Sequence, residues 1–318
     1  MRGFSLLWTT LAALATGQAL AQSPRVLLDT DRGPLLLELD QARAPNTVAN
    51  FLRYVDAGRF NDTLIHRVAK DFVVQGGGFK ADTTAIARFE TIASERNNGL
   101  SNTAGTVAMG LVGTPPNVNS ASSDFFINTG NNATLLNPNF TVFGRVVFGQ
   151  KTLSTINGTT VFQNSEDPVR IPYITRAVRV AAGAFPILPL HTGSWYDPAN
   201  AGKGFVLEVS QASGSETGPL VIVSWYDFHE GKQIWLYGLK NFNWGDSSVE
   251  VPVQISTGAQ FGSAFNPSQI IANANWGKIT VRFTGCDAGS FTYTSIYGNG
   301  TFPVRSLTLP TDKSCAGQ

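Results

Sequence analysis

Apolar and polar positions first fall into a two-residue period at residues 25–32 and 33–40. These read as two strands turning at Asp31-Arg32-Gly33, with Leu35, Leu37 and Leu39 on one face. The period then lengthens to that of a helix. In APNTVANFLRYVDAG, residues 44–58, Val48, Phe51, Leu52 and Val55 form an apolar stripe, Pro45 suits the first turn and Gly58 the stop. Short strand-like runs follow at 64–68, 73–75, 106–109, 124–128, 141–147 and 176–181, several bounded by Gly, which favours a closed or nearly closed barrel. A second short helix is expected at 151–156. The uncharged, twice-proline segment AFPILPL at 184–190 reads as an inter-domain linker.

Beyond the linker the pattern changes. Alternating runs such as GFVLEVS, LVIVSWYDF and KITVRFTG appear, and five of the six tryptophans fall here, which predicts a second, all-β domain. GSWYDPANAGKGF and VSWYDFHEGKQIW share Ser-Trp-Tyr-Asp and a later Gly-Lys, a faint sign of duplication. The expected division is a leader at 1–21, a first domain at 22–183, the linker at 184–190 and the β-domain at 191–318.

Composition narrows the class. With 32 Gly, 16 Pro and 14% charged residues, the chain favours short strands over long helices, and a net charge of +1 gives no reason to expect nucleic acid or an anionic membrane as partner. The opening MRGFSLLWTTLAALATGQALAQ has one early positive charge, a short apolar run, and Ala19 and Ala21 spaced for cleavage after Ala21. It reads as a signal peptide, so the mature protein is expected in the periplasm or beyond, without a membrane anchor. The only cysteines, Cys286 and Cys315, form an even pair that in an exported chain is more often a disulfide than two thiols. No His lies near either, and no metal site is expected.

The informative stretch is FNDTLIHRVAKDFVVQGGGF, residues 60–79. Phe60, His66-Arg67-Val68, Phe72 and Gln75-Gly76-Gly77-Gly78-Phe79 stand in the order of the cyclophilin signature. The likeness continues through Gly105-Thr106-Val107-Ala108-Met109, Ser122-Ser123-Asp124-Phe125-Phe126-Ile127 and Val142-Phe143-Gly144-Arg145-Val146. Over about 24–182 the chain resembles cyclophilin-type peptidyl-prolyl cis/trans isomerases. That resemblance implies a mainly β fold, a closed barrel capped by two helices, and an enzyme that needs no cofactor and acts on proline-containing segments. It implies Arg67, Gln75 and Phe72 as catalytic residues. The pocket it implies comprises Val73, Met109, Gly110, Leu111, Asp124, Phe126, Leu136 and Phe140. His66 reads as structural rather than as a general base. The sequence departs from the family at Gly110-Leu111, at Asp124 where Gln is usual, and at Leu135 and Phe140. Asp124 is expected either to pair with Arg67 or to repel acidic peptides.

The resemblance also supplies a reaction. Resonance sets a barrier of about 18–20 kcal/mol to rotation about a peptide bond. A fixed cation aimed at the pyramidalising proline nitrogen favours the twisted state over the planar one. The departures keep a second possibility in view, a weakly catalytic groove that holds proline segments as a chaperone or adaptor. The later half, with Trp195-Tyr196-Asp197-Pro198, Gly202-Lys203-Gly204-Phe205 and Phe283-Thr284-Gly285-Cys286, is similar to a Trp-rich domain of exported bacterial proteins. Its aromatics are expected mainly as core. If exposed beside Asp and Asn, they would suit a glycan or protein ligand.

Overall fold

The computed structural model describes residues 23–200, 202–211, 218–260, 262–310 and 315, so the expected signal peptide lies outside the described residues. The first half contains β1 (Arg25–Thr30), β2 (Gly33–Leu39), α1 (Pro45–Asp56), β3 (Thr63–Leu64), β4 (Arg67–Ala69), β5 (Val73–Gly76), β6 (Thr106–Met109), β7 (Phe125–Asn128), α2 (Ala133–Leu136), β8 (Val142–Phe148), α3 (Gln150–Asn157) and β9 (Tyr173–Val180). Its nine strands form one sheet in the order β3-β9-β1-β2-β8-β6-β7-β5-β4. Only Ile65 and His66 separate the two end strands, so the sheet must curl back on itself. α1 and α3 bury Val48, Phe51, Leu52, Leu153 and Ile156 in its core with Leu28, Leu35, Leu37 and Val107. α2, a single turn, adds a helix that the sequence pattern did not predict.

The second half is a closed antiparallel barrel of eight strands in sequential order. They are β10 (Gly193–Tyr196), β11 (Gly204–Gln211), β12 (Pro219–His229), β13 (Lys232–Asn241), β14 (Ser248–Thr257), β15 (Ile271–Phe283), β16 (Ala288–Ser295) and β17 (Gly298–Ser306). β12 alternates buried and less buried residues along most of its length, with Val221, Val223 and Trp225 inward. Trp195, Trp225 and Trp276 fill the interior, while Trp235 is 53% exposed. The two Ser-Trp-Tyr motifs lie on β10 and β12, each the first strand of a hairpin. A disulfide joins Cys286 to Cys315.

Leu36 departs from the one-sided expectation for β2. It is as buried as its neighbours, yet it joins a cluster with Leu27, Phe148 and Val180 on one side and Trp195, Phe205 and Phe283 of the second barrel on the other. The run Leu35-Leu36-Leu37 is apolar because both faces of the strand are covered. Segment 184–190 completes that cover: all of it except Pro189 is buried. Arg25 donates to the Ala184 carbonyl at 2.9 Å, and the Ile187 N–H donates to the Asp246 carbonyl at 2.7 Å. His191, fully buried, lies flat on Phe283 with ring centres 3.6 Å apart. Its Nδ1 accepts from the Leu188 N–H, and its Nε2 donates to the Gly285 carbonyl.

Candidate active site

Strand alternation carries one residue from each of five strands onto a common outer face. Arg67 on β4 stands opposite Gln75 on β5, Gln75 opposite Phe126 on β7, Phe126 opposite Ala108 on β6, and Ala108 opposite Val142 on β8. Paired residues in adjacent strands point the same way, so this row has a cationic end and an apolar end. Ala69, Val73, Ala108, Phe126, Leu136 and Val142 are buried in one cluster, with Phe72, Leu100 and Phe140 half-buried against it. Phe140 meets Phe126 edge to face at 5.5 Å. The result is an apolar slot with a guanidinium beside it.

Arg67 is held at two points. Its Nη1 donates to Gln75 Oε1 at 3.2 Å and its Nε to Glu166 Oε2 at 2.5 Å. The guanidinium carbon lies 6.0 Å from the centre of the Phe72 ring, and the side chain is one-third exposed. Nη2 makes no hydrogen bond among the described residues. A chain of asparagines positions the slot walls. Asn128 donates to Asn102, and Asn132 donates to both Asn128 and the Phe72 carbonyl. Asn102 donates to Asn137. Buried amides of this kind are stable only when partnered, so the network fixes the loops carrying Phe72, Leu100 and Leu136.

Two expectations need correction, for Met109 and for the pairing of Asp124 with Arg67. Met109 is not part of the slot: with Val107 it points into the barrel core, and Ala108 between them faces outward, as the two-residue period requires. Leu111 turns its side chain toward the main core and leaves only its backbone at the slot's edge, as its apolar side chain suggests, and there Gly110 donates its N–H to the Asp124 carbonyl at 2.7 Å. A Cβ on Gly110 would meet that of Asp124 at 2.8 Å, so a larger residue there would need Asp124 to shift. Asp124 pairs with Arg88 at 2.6 Å rather than with Arg67. His66 packs edge-on against Phe79. Burial, reinforced by Arg67 and Arg88 and opposed by Asp124, lowers its pKa, so the imidazole is neutral at neutral pH.

The profile of the cyclophilin type peptidyl-prolyl cis-trans isomerase family matches residues 25–178. Peptidyl-prolyl cis-trans isomerase cyp18 of Streptomyces antibioticus is 44% identical over 140 residues, covering 42% of this chain and 82% of that protein. The chain is a cyclophilin. Peptidyl-prolyl cis-trans isomerase B of Escherichia coli is 38% identical over 140 residues, covering 42% of this chain and 84% of the relative. A cyclophilin of Cryptosporidium parvum, crystallised in the presence of the dipeptide Ala-Pro, is 25% identical with a TM-score of 0.42, and covers 48% of this chain and 97% of that one. The chain is thus a peptidyl-prolyl cis/trans isomerase whose family match ends before the second barrel. In this cyclophilin, Ala108, Val142, Leu100 and Glu166 also line or contact the candidate site, and sequence reasoning missed them. Cross-strand register would have found the first two. Glu166 lies in an irregular loop and gives no periodic signal.

Proposed function

We propose that Arg67, steadied by Gln75, is the group that stabilises the twisted prolyl amide. The proline ring seats against Phe72, Phe126, Leu136 and Phe140. What carries this reading is the cross-strand row, which sets one guanidinium with an unengaged Nη2 beside an apolar cluster rimmed by the half-buried rings of Phe72 and Phe140. As the bond turns, the proline nitrogen regains a lone pair, and a donor that cannot lose its proton binds that state more strongly than the planar one. One charge-assisted hydrogen bond supplies about 1.5–3 kcal/mol, and the slot supplies the rest by holding the ring while the preceding carbonyl swings. Val73 forms the slot floor, and the Gly110 and Leu111 backbones and the Arg88–Asp124 pair form its edge.

The clients in this reading are proline-containing segments of exported proteins. It is supported by the leader-like amino terminus and by the disulfide. The second barrel serves as the Trp-rich domain of an exported bacterial protein. Its outer face pairs Tyr226 with Trp235 across β12 and β13, both well exposed, and offers a glycan or polypeptide a stacking surface. The decisive experiment is protease-coupled isomerisation of an Ala-Pro peptide by the full chain. Arg67→Ala is expected to lower kcat/KM by about 10- to 100-fold with the fold intact by circular dichroism. Unchanged turnover would refute the assignment.

A further inference from the structure

We infer that Glu166 is a positioning residue for Arg67, and that the 158–172 loop therefore belongs to the isomerase machinery. The inference rests on the reading of Arg67 above. Arg67 sits on a strand of three residues, with a long side chain that is one-third exposed. A guanidinium on such a stem samples many rotamers unless something fixes its plane. One acceptor cannot do so, because the group still pivots about that bond. Two acceptors on different nitrogens define the plane: Gln75 Oε1 on Nη1 and Glu166 Oε2 on Nε. The edge bearing Nη2 is what remains for substrate.

The loop is built to deliver this carboxylate. The Glu166 carbonyl accepts from the Val68 N–H at 2.8 Å, which roots the residue beside its target. The loop closes on itself as a small hairpin: Val161 bridges to Pro168, the Phe162 N–H donates to the Asp167 carbonyl, and the Val169 N–H to the Thr160 carbonyl. The Ile65 N–H, just before the His66-Arg67 pair, donates to the Pro172 carbonyl at 2.8 Å. Loop and β4 are thus laced together on both sides of Arg67. Glu166 is half-exposed, so its Coulomb attraction contributes little to stability. Its contribution is orientation, realised where a fixed donor must meet a nitrogen whose lone pair forms only during the twist.

The test is a double-mutant cycle on the full chain, with kcat/KM for an Ala-Pro peptide and the peptide Kd from NMR titration. Glu166→Ala is expected to lower kcat/KM about fivefold with Kd changed less than about twofold. Glu166→Gln, which keeps an acceptor oxygen, should stay within about twofold of the parent. In an Arg67→Ala background, Glu166→Ala should change kcat/KM by less than about twofold, because the group it orients is gone. Equal losses in both backgrounds, full activity of Glu166→Ala in the parent, or a Glu166→Gln loss as large as that of Glu166→Ala would each overturn the inference. Full activity of Arg67→Ala alone would instead overturn the role of Arg67, and with it the reason for orienting it.

Discussion

The two barrels use the same strand alternation to opposite ends. In the first, the inward face is an ordinary core, while the outward face of five strands carries the guanidinium, the slot and the asparagines behind it, each buried amide partnered. In the second, the interior holds three large indoles, and the Nε1 groups of Trp225 and Trp276 are buried without a hydrogen-bond partner. Leaving such a donor unmet costs about 1–3 kcal/mol, which aromatic packing must offset. Trp225 packs at 5.0–5.6 Å against Trp276, Phe291 and Tyr293. Unmet buried groups are not confined to the second barrel: His66 Nδ1, Ser123 Oγ and Thr129 Oγ1 of the first also lack a partner. What distinguishes the candidate site is local, the partnered asparagines that hold its walls.

The contrast holds only if the two barrels nonetheless melt as one body, and the shared cluster around Leu36 says they do. Leu36→Ala should cost about 2–5 kcal/mol, and isomerase activity and tryptophan fluorescence should be lost together in thermal denaturation. Separate midpoints would break the comparison. The next effect belongs to His191, whose pKa burial pushes down to about 3. Because the folded value lies below the unfolded one of about 6.5, the unfolded chain takes up the proton first. Stability is therefore complete above about pH 6.5 and declines as pH falls from there toward 3, by about 2 kcal/mol between pH 7 and 5. His66 acts in the same direction. His191→Phe should flatten the pH dependence of the urea midpoint, and an unaltered slope would remove His191 from the account. The smallest expected change is Trp235→Ser on the exposed outer face, within about 0.5 kcal/mol of parent stability. In pull-downs by the full-length protein, that variant should lose any glycan or peptide retained by the parent. Retention by both would detach the Tyr226–Trp235 pair from binding.

Much of the first barrel was legible because its signals are periodic. α1 was readable from Val48, Phe51, Leu52 and Val55, and Arg67, Gln75 and Phe126 from the family pattern. Met109 was placed in the pocket by the family resemblance, and strand parity corrects it: the neighbouring Ala108 is the one paired with Phe126. Asp124 found Arg88, some 36 positions upstream, a contact created by the folded loop and invisible in spacing. Glu166 was missed for the same reason. In the second half, alternation gave strands but not closure, since the pairing of β10 with β17 joins residues more than a hundred positions apart. Leu36 looked surplus to a one-sided strand because nothing local announces that a second domain covers the other face.

The wedged connection at 184–190 has a mechanical corollary. A flexible tether would let the two barrels search relative to one another, so that a chain gripped by one could be handed to the other over a range of separations. Here Ala184, Ile187 and His191 are each fastened to a barrel, and the tether has no slack. With the barrels fixed to one another, a chain held on the proposed outer-strand surface would reach the proposed Arg67 groove only through its own looseness, and one that had already folded would not reach it.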